Sequence, residues 1–141
     1  MSTESNKALA RREMEEFEGQ GRLAVANELL APDYRLHFPG FPTLDREGHK
    51  QVVTAFRAAF PDMTVTVEAQ VAEVDRVANQ LIMRGTHQGP FQGIPATGRA
   101  VTVTGNNLMR IEGGQIKELW GYLDTLGKMQ QLGVIPAPQA G

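Results

Sequence analysis

Few side chains in this sequence are equipped for chemistry, and they are spread thinly. There is no cysteine, which excludes thiolate nucleophiles, disulfides, iron–sulfur clusters and cysteine-rich zinc sites. The three histidines, His37, His49 and His87, lie far apart with no His-x-x-x-His pair, so no metal site is expected. Gly-x-Ser-x-Gly is absent, and the glycines between Gly85 and Gly98 are not followed by Lys-Ser or Lys-Thr, so neither an acyl-transfer elbow nor a phosphate cradle is present. What remains is proton transfer and hydrogen bonding. A histidine titrates near neutrality, an amide can hold a developing enolate, and a carboxylate can take a proton.

Strand alternation says which of these groups point inward. Over residues 80–89, Leu81, Met83, Gly85 and His87 share a side, so His87 is expected to face the core or a pocket. Over 101–111, Asn107 is the polar exception among Val101, Val103, Gly105, Met109 and Ile111. A buried amide left unpaired costs about 1–3 kcal/mol, which a ligand would relieve. The last strand has two phases. If Ile111 faces Ile116 across Gly113-Gly114, then Glu118, Trp120 and Tyr122 point inward, with Asp124 at the strand end. A bulge reverses this and turns Gly121 inward. Each candidate also has a structural reading: His87 as a bonded core histidine, Trp120 and Tyr122 as core packing, and Asp124 as the N-cap before Thr125-Leu126-Gly127.

The elements that must position these groups are legible in outline. Residues 5–19 read as an amphipathic helix on Ala10, Met14 and Phe17, stopped by Gly19 and Gly21. A short helix over 23–30 closes at Ala31-Pro32, a strand follows over 34–38, and a helix over 45–60 carries Val52, Val53, Phe56 and Phe60. Strands are predicted over 64–74, 80–89, 101–111 and 115–123, the last two joined through Glu112-Gly113-Gly114. A helix over 124–132 closes a single domain of residues 1–133, and 134–141 form a flexible tail. Helices followed by an antiparallel meander imply an α+β fold, with a hollow between the sheet and the first helix for a ligand.

Composition narrows the partners. A net charge of −2 with scattered basic residues does not suit nucleic acid. No apolar run approaches the roughly 20 residues of a membrane span, and the N-terminal residues lack a secretory pattern, so a cytoplasmic protein is expected.

Several motifs together resemble one family. Asn6-Lys-Ala-Leu-Ala-Arg-Arg, Asp33-Tyr34 with His37, Ala58-Ala-Phe-Pro-Asp62, Gly85-Thr-His-Gln-Gly89 with Gly93-Ile-Pro95, and Trp120-x-x-x-Asp124 followed by Gln131-Leu-Gly133 are similar to SnoaL-like polyketide cyclases of the nuclear-transport-factor-2-like superfamily. The resemblance implies a cone-shaped α+β barrel, with N-terminal helices packed in a strongly curved, mainly antiparallel sheet around a pocket. It also implies intramolecular aldol chemistry without metal or cofactor, in which a last-strand aspartate takes the proton and a histidine on the preceding strand holds the enolate. Laid on this chain, the histidine position falls on Asn107 and the aspartate position on Gly121. Glycine cannot move a proton, so the aldol scheme does not transfer unchanged.

The resulting expectation is a cofactor-independent cyclase or isomerase for a small, apolar, oxygenated, polyketide-like substrate. His87 would be the acid–base group, Asn107 the oxyanion donor and Asp124 an alternative base. Trp120, Tyr122, Met83, Phe17, Phe56 and Phe91 would shape the pocket wall. His37 fits the family's pocket position, although alternation with Tyr34, Leu36 and Phe38 sends it to the other side. The competing expectations are a non-catalytic binding domain, an epoxide-hydrolase-like activity, and a homodimer pairing through the sheet face that carries Thr102, Thr104 and Arg110.

Overall fold

The computed structural model describes residues 2–136. The predicted tail therefore falls mostly, at 137–141, outside the described residues. Helix α1 (Thr3–Arg12) starts from a capping box in which Ser2 and Ser5 satisfy each other's backbone N–H. Where an unbroken α-helix was expected to Gly19, Glu13–Gly19 widens into a π-helix. In an α-helix, residues five apart stand about 140° apart around the axis. The wider π turn brings them onto one face, so Glu13 and Glu18 both meet the interior.

Helix α2 (Leu23–Leu29) passes directly into β1 (Leu30–His37), so Ala31-Pro32 lies within a strand instead of closing a helix. Pro32 is tolerated because β1 is an edge strand. Helix α3 (Arg46–Ala59) is capped by Asp45, whose carboxylate accepts the Gly48 N–H at 2.8 Å. Its inner stripe is His49, Val53 and Phe56. Strands β2 (Thr64–Glu73), β3 (Arg76–Thr86), β4 (Ala100–Glu112) and β5 (Gln115–Leu123) follow, then the short helix α4 (Thr125–Gln131). No helix among the described residues is long and apolar enough to cross a membrane.

The strands form one sheet in the order β1-β5-β4-β3-β2, antiparallel except for the parallel β1–β5 pair. The sheet curves over the helices without closing. Gly113 and Gly114, at φ 60° and 78°, make the tight β4–β5 turn that the Gly-Gly pair predicted. Two bulges set which side chains face in. Leu81 pairs with Val67 but Gln80 with Ala69, so Glu68 is the extra residue of β2. Ile111 pairs with Ile116 but Arg110 with Glu118, so Lys117 is the extra residue of β5.

Beneath the sheet the main core gathers Met14, Phe17, Tyr34, Val77, Met109 and Ile116. A second cluster of Phe60, Met63, Phe91, Val101, Val103 and Leu132 fills the end near α4.

Candidate functional site

The ligand-sized space is not under the first helix, where it was expected. Met14 and Phe17 are fully buried there, and what is left between that helix and the sheet's inner face holds about one water. It lies at the mouth of the cone, as a cavity of about 420 Å³. Phe38, Pro39 and Phe41 after β1, Val52, Ala55 and Phe56 of α3, Phe91 and Gln92 of the β3–β4 loop, and Tyr122, Leu123, Thr125 and Lys128 line it. Its wall is mostly apolar and aromatic, which suits an apolar ligand placed by a few polar groups.

Two smaller chambers lie deeper, each of about 20 Å³, room for one water. One is bounded by Met83, Gly85, Val101, Val103 and Leu123. The other is bounded by Glu18, His49, Asn107 and Gly121, and shares Phe38, Tyr122 and Leu123 with the mouth cavity. Phe38 is the partition. Its ring stands on Gly121, where an added Cβ would come within 2.5 Å of Cε1. The space a β5 carboxylate would need is thus occupied by an aromatic ring.

The expected site residues do not all converge. His87 is fully buried and lines none of these spaces. Its Nδ1 lies 3.0 Å from Thr97 Oγ1 and accepts the Thr97 N–H at 3.2 Å, and its ring stacks on Phe60. The proton therefore sits on Nε2, which has no partner. Asp124 accepts the Gly127 N–H at 2.9 Å as the N-cap of α4, and its side chain lines no cavity. Asn107 does face the inner chamber. A relay from Gln70 to Asn79 (3.0 Å) and from Asn79 to Asn107 Oδ1 (2.7 Å) leaves the Asn107 Nδ2 free to donate there.

The bulge at Lys117 decides the phase of β5. Ile116, Leu119 and Gly121 face in, and Trp120 faces out. Trp120 therefore shapes no pocket wall. It stacks on His37 on the convex face, at 5.5 Å between ring centroids, with the Arg76 guanidinium over its ring. His37 lies on that face too, 2.7 Å from Glu118, and lines no cavity. Tyr122, 57% exposed, reaches the cavity rim from its strand end. Phe56 and Phe91 line the mouth, Met83 lines both inner chambers, and Phe17 is core.

Sequence reasoning missed a buried polar cluster. Glu13 is fully buried with no donor within reach of either carboxyl oxygen, and a ligand atom each of Glu13, Glu18 and His49 lie within 4.8 Å of one another. Burial and the neighbouring Glu18 push the Glu13 carboxyl well above the usual carboxylate range, and burial raises Glu18 as well. Burial pulls His49 down to about 3, so it is neutral, with Nδ1 2.9 Å from the Tyr34 hydroxyl. Among the described residues this trio is the one grouping that could hold a cation. A proton shared between the two carboxyls explains it as well. His49 was legible as a polar residue on the apolar stripe of α3. Glu18 was not, because α-helical spacing separates it from Glu13. Lys128 was also missed: it is 6% exposed and lines the mouth cavity.

With the geometry established, comparison with known proteins adds a family. The model of the SnoaL-like polyketide cyclase family matches residues 8–132. Aklanonic acid methyl ester cyclase DnrD of Streptomyces peucetius is 32% identical over 93 residues, which span 62% of this chain and 61% of that protein. The chain thus matches less than two thirds of that relative. IdmH of Streptomyces antibioticus, a proposed polyketide cyclase, is 36% identical with a TM-score of 0.81, covering 92% of this chain and 99% of its own. AclR of Streptomyces galilaeus, a proposed hydroxylase, reaches a TM-score of 0.88 at 26% identity over 99% of this chain and 87% of its own.

Proposed function

This chain belongs to the SnoaL-like polyketide cyclase family, and on that premise we propose that it is a cofactor-independent cyclase or isomerase for a small, apolar, oxygenated substrate. The observation that carries the reading is the aromatic-walled cavity of about 420 Å³, open at the mouth and separated by one side chain from a polar inner chamber.

The substrate's apolar body lies against Phe41, Phe56 and Phe91, which confine it to few conformations; for a ring closure this alone lowers the barrier. A carbonyl edge passes Phe38 into the inner chamber. There Glu18, not a β5 residue, takes the proton next to the carbonyl, and Asn107 Nδ2 donates to the enolate oxygen. The upward displacement of Glu18 by burial suits a base working near neutrality. Glu13, holding its proton, donates to Glu18 and orients it. His87 and Asp124 keep the structural duties their bonds describe.

The test is incubation with aklanonic acid methyl ester, the compound named for DnrD, and with simpler β-keto esters, watching for a product of unchanged mass and altered retention. Conversion is expected, with Glu18→Gln lowering kcat by about 100-fold or more while KM moves little. Full turnover in Glu18→Gln would remove the assigned base. Tight binding with no conversion would favour the competing reading, a binding domain, which the glycine at position 121 supports.

The same reading pairs two copies through the convex sheet face, where Thr102, Thr104, Trp120 and the half-exposed Arg110 lie. A dimer mass by light scattering at micromolar concentration is expected, reduced to monomer by Thr104→Arg.

A further inference from the structure

We infer that Lys128 is an anchor for a carboxylate on the ligand, so that among the apolar molecules the cavity admits, it favours those that carry one free acid group. The inference rests on the mouth cavity being the ligand site.

Lys128 is the one formally charged side chain on the wall of that cavity. A lysine near a surface normally lays its stem on apolar neighbours and sends its head to water. Here the residue is only 6% exposed and the ammonium points inward, 4.3 Å from the centre of the Phe91 ring and 5.2 Å from that of Phe56. The two ring faces compensate the charge in part. No carboxylate pairs with it among the described residues, and none lines the cavity. A positive charge partly withdrawn from water without a counter-ion carries a cost, and a ligand bringing one negative charge offsets it.

The count of groups selects the class. One ammonium, with Thr125 and Tyr122 among the other lining residues, matches the single charge of a carboxylate. A phosphate would bring a second charge with no second cation on the wall. Burial lowers the Lys128 pKa to about 8, so the amine is still mainly charged at neutrality.

Two fluorescent probes of the same shape test this with the full chain: 2-naphthoate and 2-naphthylmethanol. Fluorescence titration near neutral pH is expected to give roughly tenfold tighter binding of the acid. Lys128→Met should abolish that preference while leaving the alcohol's affinity within about twofold. In the wild-type chain the preference should also fade as pH rises past about 8, with alcohol binding flat. The other ionisable groups near the amine are the Tyr122 phenol from β5, Arg84 from β3 at the small chamber bounded by Met83 and Gly85, and the capping Asp124. The alcohol reports any change they cause, and the wild-type pH series decides the matter should Lys128→Met not fold. Equal affinity for both probes, or a preference that survives Lys128→Met or persists at high pH, would overturn the anchor and leave the cavity standing. Failure of both probes to bind would overturn the cavity as ligand site and the anchor with it.

Discussion

Gly121 and Phe38 form a matched pair, and the match explains why a carboxylate cannot simply be restored. Any Cβ at position 121 collides with the Phe38 ring at 2.5 Å. Gly121→Asp is therefore expected to destabilise by about 1–3 kcal/mol through overpacking. Adding Phe38→Ala should recover most of that loss and enlarge the inner chamber, and urea midpoints of the single and double variants check both. This pairing was half legible in the sequence, since alignment with the family motif put a glycine at the aspartate position. What replaced the aspartate was not legible, because Phe38 comes from a loop about 80 positions earlier and nothing local records the contact. Asn107 could be placed inward because β4 alternates without interruption. His87 was placed inward by the same rule, but its Thr97 partner sits in a loop whose path no periodicity predicts.

At the level of elements, the π-helical turn and the β5 bulge each override a simple period. The π turn presses Glu13 against Glu18 under the core, which ties stability to pH. His49 is held down at about 3 from an ordinary 6.5, so the unfolded chain takes up more protons in that range and stability rises with pH. Glu13 is held above its ordinary 4.5, so from there upward the folded chain keeps the extra proton and stability falls with pH. From 4.5 upward the two trends oppose each other, and the contribution of His49 ends at about 6.5. Glu13→Gln is expected to flatten that fall, seen as urea midpoints measured at about pH 5, 6.5 and 8. The bulge at Lys117 is held from outside by the Asp33 carboxylate at 2.9 Å. Deleting Lys117 would restore strict alternation with the same partners, Leu119 and Gly121 still inward and Trp120 still outward, and would remove only the contact to Asp33. A cooperative thermal transition is therefore expected to survive the deletion, whereas inserting a second residue beside Lys117 should abolish it by turning Ile116 or Leu119 outward. The sequence left both phases of β5 open because a bulge carries no mark of its own in composition.

For the molecule as a whole, the order of elements, the α+β class and the β4–β5 hairpin follow from periodicity and turn residues. The location of the cavity does not. Whether a curved sheet encloses a void or a packed interior depends on how far the first helix sinks, and Met14 and Phe17 sink fully. The usable space is displaced to the rim, where loops and α4 supply its walls. That displacement puts the aromatic loop residues Phe41 and Phe91 on the cavity wall in place of most of the sheet's inner face.

The parallel pairing of β1 with β5 has a consequence for how the chain is made. β1 is made early, but among the described strands its one neighbour in the sheet is β5, the last of them in chain order, with Asp33 and Lys117 separated by 84 positions. Until β5 is made, β1 has its bridge to Leu44 at Leu36 and the packing of Tyr34 on His49 of α3, and the rest of its edge is unpaired. Such distant pairing is slow to form and leaves sticky surface uncovered meanwhile.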